Sequence, residues 1–118
     1  MLKEKDEQSI FVKYCELKHI PVVHVPNGVK IAGGLKNKYA YINSLKTQGL
    51  KKGFPDIIVL AKNSKNEVLF MEFKREKGGV LSKEQKKWQF DLRSMGYATC
   101  VVRGADEAIK RLHDYLKE

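Results

Sequence analysis

The periodicity of apolar positions changes several times along this chain, and each change marks an element. From about Glu4 to His19, Ile10, Phe11, Tyr14, Cys15 and Leu17 recur at helical spacing. Pro21 to Val25 alternates as a short strand and runs into Pro26-Asn27-Gly28, a strong turn signal. Between Val29 and Gly53 the pattern is weak: Gly33-Gly34 is a breaker and Tyr39 to Leu50 carries mixed signals, so irregular structure is expected, with room for a short helix or strand. Two apolar runs follow, Asp56 to Ala61 and Val68 to Lys74, joined by the polar link Lys62 to Asn66, which suits an antiparallel hairpin. Gly78-Gly79 makes a flexible connection to a helix beginning at Ser82. That helix has Ser82 and Gln85 at capping-box spacing, Trp88, Leu92 and Met95 as its apolar stripe, and Gly96 as its stop. Ala98 to Val102 is an unbroken apolar run of the kind buried on both faces. A last helix is expected from about Ala105 to Leu116, with Ala108, Ile109, Leu112 and Leu116 inward. Helix, strand, loop, hairpin, helix, strand, helix is the order of a small α/β domain with a mixed sheet.

Composition narrows the reading. A chain of 118 residues is expected to form one domain, residues 1–118, with one core. Its formal charge of +9 favours a polyanionic partner. The distribution says more than the total. No Asp or Glu occurs from Leu17 to Pro55, while Lys18, Lys30, Lys36, Lys38, Lys46, Lys51 and Lys52 all fall there. Lys74, Arg75, Lys77, Lys83, Lys86 and Lys87 form a second basic cluster. By itself this reads equally well as a solvated lysine surface. The N-terminal stretch lacks the apolar core of a signal peptide, and no apolar run approaches the length of a membrane span. Cys15 and Cys100 are far apart and lack metal-ligand spacing, so free buried thiols in a reducing cytoplasm are expected. His19, His24 and His113 form no cluster, which argues against a zinc site.

The chemistry lies where charge interrupts the strands. Glu72 and Lys74 are two residues apart and therefore share a strand face with Val68 and Phe70. A charge on a face that begins as core is costly unless it is paired, hydrated or bound to a metal. Asp56 stands at the mouth of the neighbouring strand. Hydrolysis of a phosphodiester needs a nucleophilic water, stabilisation of phosphate charge and help for the leaving oxygen. Mg²⁺ or Mn²⁺ supplies much of this and is held by one or two carboxylates plus waters. Asp56 and Glu72 fit as ligands, Phe73 can add its backbone carbonyl, and Lys74 can orient the water or favour its deprotonated form. Each residue also has a plainer reading. Asp after Pro is common at turns, and Glu72 with Lys74 could be an exposed ion pair at a strand end. A third carboxylate is sought on the first helix. Glu7 shares a face with Ile10, Phe11 and Tyr14, Glu4 lies one turn earlier as the alternative, and both suit the helix dipole without any further role. Gln85 faces the sheet near Lys74 and can contact water or phosphate, or serve only as the reciprocal cap of Ser82. Trp88 reads as core rather than as a base-stacking platform, and Asn27 as a turn residue that could also face the cleft.

Gly53-Phe54-Pro55-Asp56, Glu72-Phe73-Lys74-Arg75, and Leu81-Ser82 with Gln85 and Trp88 together resemble the PD-(D/E)xK nuclease superfamily, and within it the virus-type replication-repair nuclease domain, VRR-NUC. The resemblance extends from the first helix through His24-Val25-Pro26-Asn27-Gly28 to Val101-Val102. It implies a PD-(D/E)xK (restriction-endonuclease-like) core, a small mixed β-sheet flanked by helices. It also implies Mg²⁺- or Mn²⁺-dependent DNA cleavage, with Asp56, Glu72 and Lys74 as the catalytic set. A helix-one glutamate, best matched by Glu7, and a supporting role for Gln85 are implied as well. The metal would be held by Asp56, Glu72, the Phe73 carbonyl and Glu7, and DNA by Lys51, Lys52, Arg75, Lys77, Lys83, Lys86 and Lys87. Stand-alone phage-type members are associated with homodimers that cut branched DNA such as four-way junctions, in repair or recombination, in the cytoplasm of a bacterial or phage-infected cell. Paired cutting by a chain with one site calls for two copies.

The expected activity is thus a structure-selective DNA endonuclease leaving a 5′-phosphate by in-line attack of water. Flap or nicking nucleases of the same family are alternatives, as is a non-catalytic nucleic-acid-binding module on the same fold. An enzyme acting on other phosphorylated substrates is disfavoured because no phosphate-cradling glycine motif is present.

Overall fold

A computed structural model of the chain describes residues 2–26 and 38–118. Asn27, Gly28, Lys30, Gly33, Gly34 and Lys36 lie outside these, and with them the turn and breaker expected there. The described elements are α1 (Glu4–Leu17), β1 (Val22–His24), α2 (Lys38–Thr47), β2 (Ile57–Val59), β3 (Leu69–Lys74), α3 (Lys83–Ser94), β4 (Ala98–Arg103) and α4 (Ala105–Lys117). The strands form one mixed sheet in the order β1-β2-β3-β4, antiparallel except for the β3–β4 pair. This is a small mixed β-sheet flanked by helices, the α/β architecture expected from the sequence. Among the described residues no helix is long and apolar enough to cross a membrane.

The hairpin forms where its polar link predicts. Asn63 closes the link, its Oδ1 accepting from the backbone N–H of Lys65 and Asn66 at 2.9 and 2.7 Å. The core lies between the sheet and the helix pair α1 and α4. Phe11 and Cys15 from α1, Ile57 and Val59 from β2, and Leu69, Met71 and Phe73 from β3 meet Ala108, Leu112 and Tyr115 from α4. The odd-numbered residues of β3 thus take the core face, and Phe70, Glu72 and Lys74 take the other. On that second face Phe70 touches Phe54 and Tyr97, and Trp88 of α3 packs on Phe54 at 5.0 Å between ring centroids. Both cysteines are free and buried, as expected.

The structure corrects several details. Lys38–Thr47 is helical, where irregular structure with room for a short helix or strand was expected; it has no buried residue, so little apolar periodicity could announce it. In α4, Tyr115 points inward and Leu116 outward, because the Tyr115 hydroxyl donates to the Ala61 carbonyl at 2.7 Å and thereby makes burial of the ring compatible with its polar end. In α3, Met95 is exposed, whereas Gln89 is buried and accepts from the Thr99 hydroxyl at 3.1 Å. In α1, Ile10 and Leu17 are exposed and the inward stripe is carried by Phe11 and Cys15. β4 is the outer strand of the described sheet, yet α3 and α4 both pack on it and cover most of its side chains.

Candidate functional site

The hairpin register brings the two strand-end carboxylates together. Ile57 stands opposite Met71, and one further residue along each strand sets Asp56 beside Glu72. The join is made explicit by a hydrogen bond: the Phe73 N–H donates to Asp56 Oδ2 at 2.9 Å. The backbone of Asp56 is held from the other side by β1. Its carbonyl accepts from the Val25 N–H at 2.7 Å and contacts His24 Nδ1 at 3.0 Å, and Gln8 of α1 reaches the same ring nitrogen at 3.0 Å.

The loop that delivers Asp56 is wedged against α3. Gly53 has φ +84°, and a Cβ there would come within 2.7 Å of the Glu84 backbone, so only glycine permits this approach. Trp88 Nε1 donates to the Lys52 carbonyl at 3.2 Å and pins the same loop. The Gly-Phe-Pro-Asp run therefore combines close contact at Gly53, a ring in an aromatic cluster at Phe54, a buried Pro55 and the carboxylate itself.

The third carboxylate is Glu4. Oxygens of Glu4, Asp56 and Glu72 all lie within 4.8 Å of one another. Helix geometry gives the reason. Glu4 precedes Phe11 by seven residues and Cys15 by eleven, which at about 3.6 residues per turn places it in line with the two buried side chains of α1. Glu7 is rotated toward α4. Its Oε2 accepts from the Ala105 N–H and thereby caps α4, close enough that a Cβ on Gly104 would sit 3.2 Å from the same oxygen. Exposure of Ile10 was the missing clue, since aligning the helix on Phe11 and Cys15 alone selects Glu4.

The electrostatics of this trio are unusual. Glu72 is 1% exposed, and its Oε1 is buried with no hydrogen-bond partner. Burial pushes its carboxyl up to about 10, reinforced by a hydrogen bond to Asp56 and the negative charges of Asp56 and Glu4, against the opposing pull of Lys74. Burial likewise raises Glu4, with Asp56 adding to the shift and Lys74 and Arg75 opposing it. Three carboxylates crowded around an unpartnered buried oxygen form a hard, anionic oxygen cage, which fits Mg²⁺ or Mn²⁺. Among the described residues, Lys74 and Arg75 are the cations whose fields reach this cluster.

The other sequence-selected residues fall as follows. Gln85 completes the capping box: its Oε1 accepts from the Ser82 N–H at 2.8 Å, and its own N–H donates to Ser82 Oγ at 3.1 Å. Phe73 turns its ring to the core against Phe11, as its parity requires. Lys51, Lys52, Arg75, Lys77, Lys83, Lys86 and Lys87 are all exposed. Lys52 pairs with Glu84 at 3.8 Å and Lys87 with Asp91 at 2.6 Å. One residue that the pattern did not single out is Arg103 at the end of β4. Its guanidinium donates to the carbonyls of Gly79, at 2.6 Å, and Arg75, at 3.3 Å, and so folds the loop after Lys74 back onto the sheet.

Comparison with known proteins bears on the family and the fold. The family model of the VRR-NUC domain matches residues 3–106. A solved structure titled as a VRR_NUC domain protein superposes with a TM-score of 0.74 at 22% identity, covering 98% of this chain and 89% of the other. A second, titled VRR_NUC domain, gives 0.63 at 17% identity over 98% and 99%. No curated protein matches.

Proposed function

The chain belongs to the VRR-NUC family of nucleases, and from that premise we propose that it is a divalent-metal-dependent DNA endonuclease acting on branched DNA. The observation that carries this reading is the buried Glu72 carboxyl, one oxygen of which lies within 4.8 Å of oxygens of Asp56 and Glu4 and whose Oε1 has no hydrogen-bond partner. A buried acceptor without a donor is costly, and a cation is the partner that this carboxylate cluster would take.

Asp56, Glu72 and Glu4 would hold the ion, with the Phe73 carbonyl as a further oxygen. The bound ion supplies Lewis-acid stabilisation of the phosphate and a more acidic water. Lys74, on the strand face of Glu72, orients the attacking water and offsets negative charge gathering on the phosphate. The water oxygen bonds to phosphorus in line with the departing O3′, the P–O3′ bond breaks, and the water's proton ends on that oxygen. The products are a 5′-phosphate and a 3′-hydroxyl. Arg75, Lys77 and the exposed lysines of α3 bind backbone phosphates without reading sequence. Glu7 and Gln85, whose side chains cap α4 and α3, act as positioning residues. A homodimer is the arrangement that lets a one-site chain cut two strands of a four-way junction.

The test is cleavage of end-labelled four-way junction, flap, single-stranded and plasmid DNAs in Mg²⁺ and Mn²⁺, with Lys74→Ala and Glu72→Ala beside the wild type. Metal-dependent incision of the junction that both substitutions abolish is expected, with junction binding retained. Full activity in either variant refutes the assignment. Binding without cleavage in either metal would favour a non-catalytic module on the same fold.

A further inference from the structure

Four of the five phenylalanines have an evident structural place: Phe11 and Phe73 are buried in the core, and Phe54 and Phe70 are half-buried in ring contacts. Phe90 is different. It sits in the interior of α3, is 70% exposed, and makes no aromatic contact among the described residues. Helix propensity does not ask for Phe there, since several polar residues suit an exposed helix position better. Its neighbours on the helix surface are cationic. Lys83, Lys86 and Lys87 precede it by seven, four and three residues and Arg93 follows by three, so all four share its solvent face. Lys87 pairs with Asp91; among the described residues Lys83, Lys86 and Arg93 have no ion-pair partner. An exposed aromatic ring inside a cationic stripe matches the two surfaces of a nucleic-acid strand, anionic phosphates and apolar base faces.

The stripe is also aimed. β3 and β4 are parallel and α3 connects them, so α3 runs back against the strands and its first turn lies at the Glu72–Lys74 end of β3. Phe90 is then about 10 Å farther along the helix than Lys83, at about 1.5 Å per residue. That distance is the reach of a few nucleotides.

We infer that the exposed face of α3 is a docking ridge for an unpaired stretch of DNA, with Phe90 stacking on an extruded base while Lys83, Lys86 and Arg93 hold the adjoining phosphates. The inference rests on the reading of DNA as the substrate and deepens it: the ridge selects DNA with exposed bases, such as a branch point or gap, over continuous duplex. Duplex offers the lysines the same phosphates but keeps its bases stacked.

The experiment is equilibrium binding by fluorescence anisotropy in EDTA, where no cleavage occurs, using the whole chain. The two probes are a duplex with a short single-stranded gap and an intact duplex of equal length. Phe90→Ala should weaken the gapped DNA about tenfold and the intact duplex less than about twofold, and Phe90→Trp should restore the gapped complex. Lys86→Ala should weaken both DNAs alike and lower the salt dependence by about one charge. A 2-aminopurine placed in the gap should be quenched by the wild type and by Phe90→Trp but not by Phe90→Ala. Equal loss on both probes, no loss on either, or conversion of a dimer to monomers by Phe90→Ala in sedimentation overturns the inference; the last would make the ridge a contact between copies. The nuclease reading fails separately. If Phe90-dependent gap binding persists while no DNA is cut in Mg²⁺ or Mn²⁺, the ridge stands and catalysis falls. If cleavage holds and Phe90→Ala binds both probes as the wild type does, the reverse is true.

Discussion

Two glutamates three residues apart on α1 have opposite fates, and the contrast separates a carboxylate that builds the fold from one that is available for chemistry. Glu7 accepts a backbone N–H at the start of α4 and links two helices. Glu4 turns to Asp56 and Glu72, where three carboxyl groups crowd together and Glu72 Oε1 is buried with no hydrogen-bond partner. Electrostatics makes the first arrangement stabilising as it stands. The second is unfavourable as it stands, and becomes favourable only when something positive joins it.

The sharpest break of this comparison is Glu72→Gln. It keeps the shape of the side chain but removes the carboxylate that would ligate the ion, and cleavage should fall at least ~100-fold, taking outer-shell metal-site losses as a floor, with the fold intact by circular dichroism. Next comes Glu4→Gln, expected to lower cleavage by ~10- to 100-fold and to raise the Mn²⁺ concentration needed for half-maximal rate. Glu7→Gln should leave that metal requirement unchanged. Should Glu7→Gln shift the metal requirement and Glu4→Gln not, the two glutamates have been assigned the wrong way round.

The pH dependence of the metal-free protein offers a third test. Glu72 is raised from 4.5 to about 10 in the folded chain by burial and by its contact with Asp56. Between those values the folded state keeps a proton that the unfolded chain has released, so stability is fully present below 4.5 and is lost as pH rises toward about 10. The slope is at most about 1.4 kcal/mol per pH unit. Melting temperatures measured in EDTA should therefore decline across this window, Glu72→Gln should flatten the decline, and Mg²⁺ or Mn²⁺ should raise the melting point most at the alkaline end. A wild-type profile matching that of Glu72→Gln would contradict the burial argument.

The smallest effect is expected at the cap. Glu7→Ala removes the acceptor for the Ala105 N–H and should cost about 1 kcal/mol, as lost helix caps do, seen as a lower melting temperature in EDTA. Glu4→Ala should leave that melting temperature unchanged or raise it, because it relieves a crowded anionic cluster. Lowered melting in both variants would dissolve the distinction between them.

Much of this was legible before any tertiary contact was known, because the relevant signals are local. Strand alternation alone puts Glu72 and Lys74 on one face and Phe73 on the other. The polar link from Lys62 to Asn66 announces the hairpin that makes Asp56 a neighbour of Glu72, and Ser82 with Gln85 announces the start of α3. The weaker readings failed where side chains answer to distant partners. Tyr115 is inward because its hydroxyl finds the Ala61 carbonyl, more than fifty residues away in the chain. Arg103 matters because it reaches back to Arg75 and Gly79.

What the chain by itself determined is the set of groups and their order: two strand-end carboxylates, a lysine in phase with one of them, and a glycine before the other. Periodicity and turn chemistry act over a few residues, so they survive without knowledge of the fold. The tertiary structure decided which helix-one glutamate meets them, since that depends on the rotation of α1 set by Phe11 and Cys15 entering the core. It also decided that Glu72 is sealed from water with one oxygen unanswered, because burial is a property of everything packed around a residue and not of the residue's own neighbours in sequence.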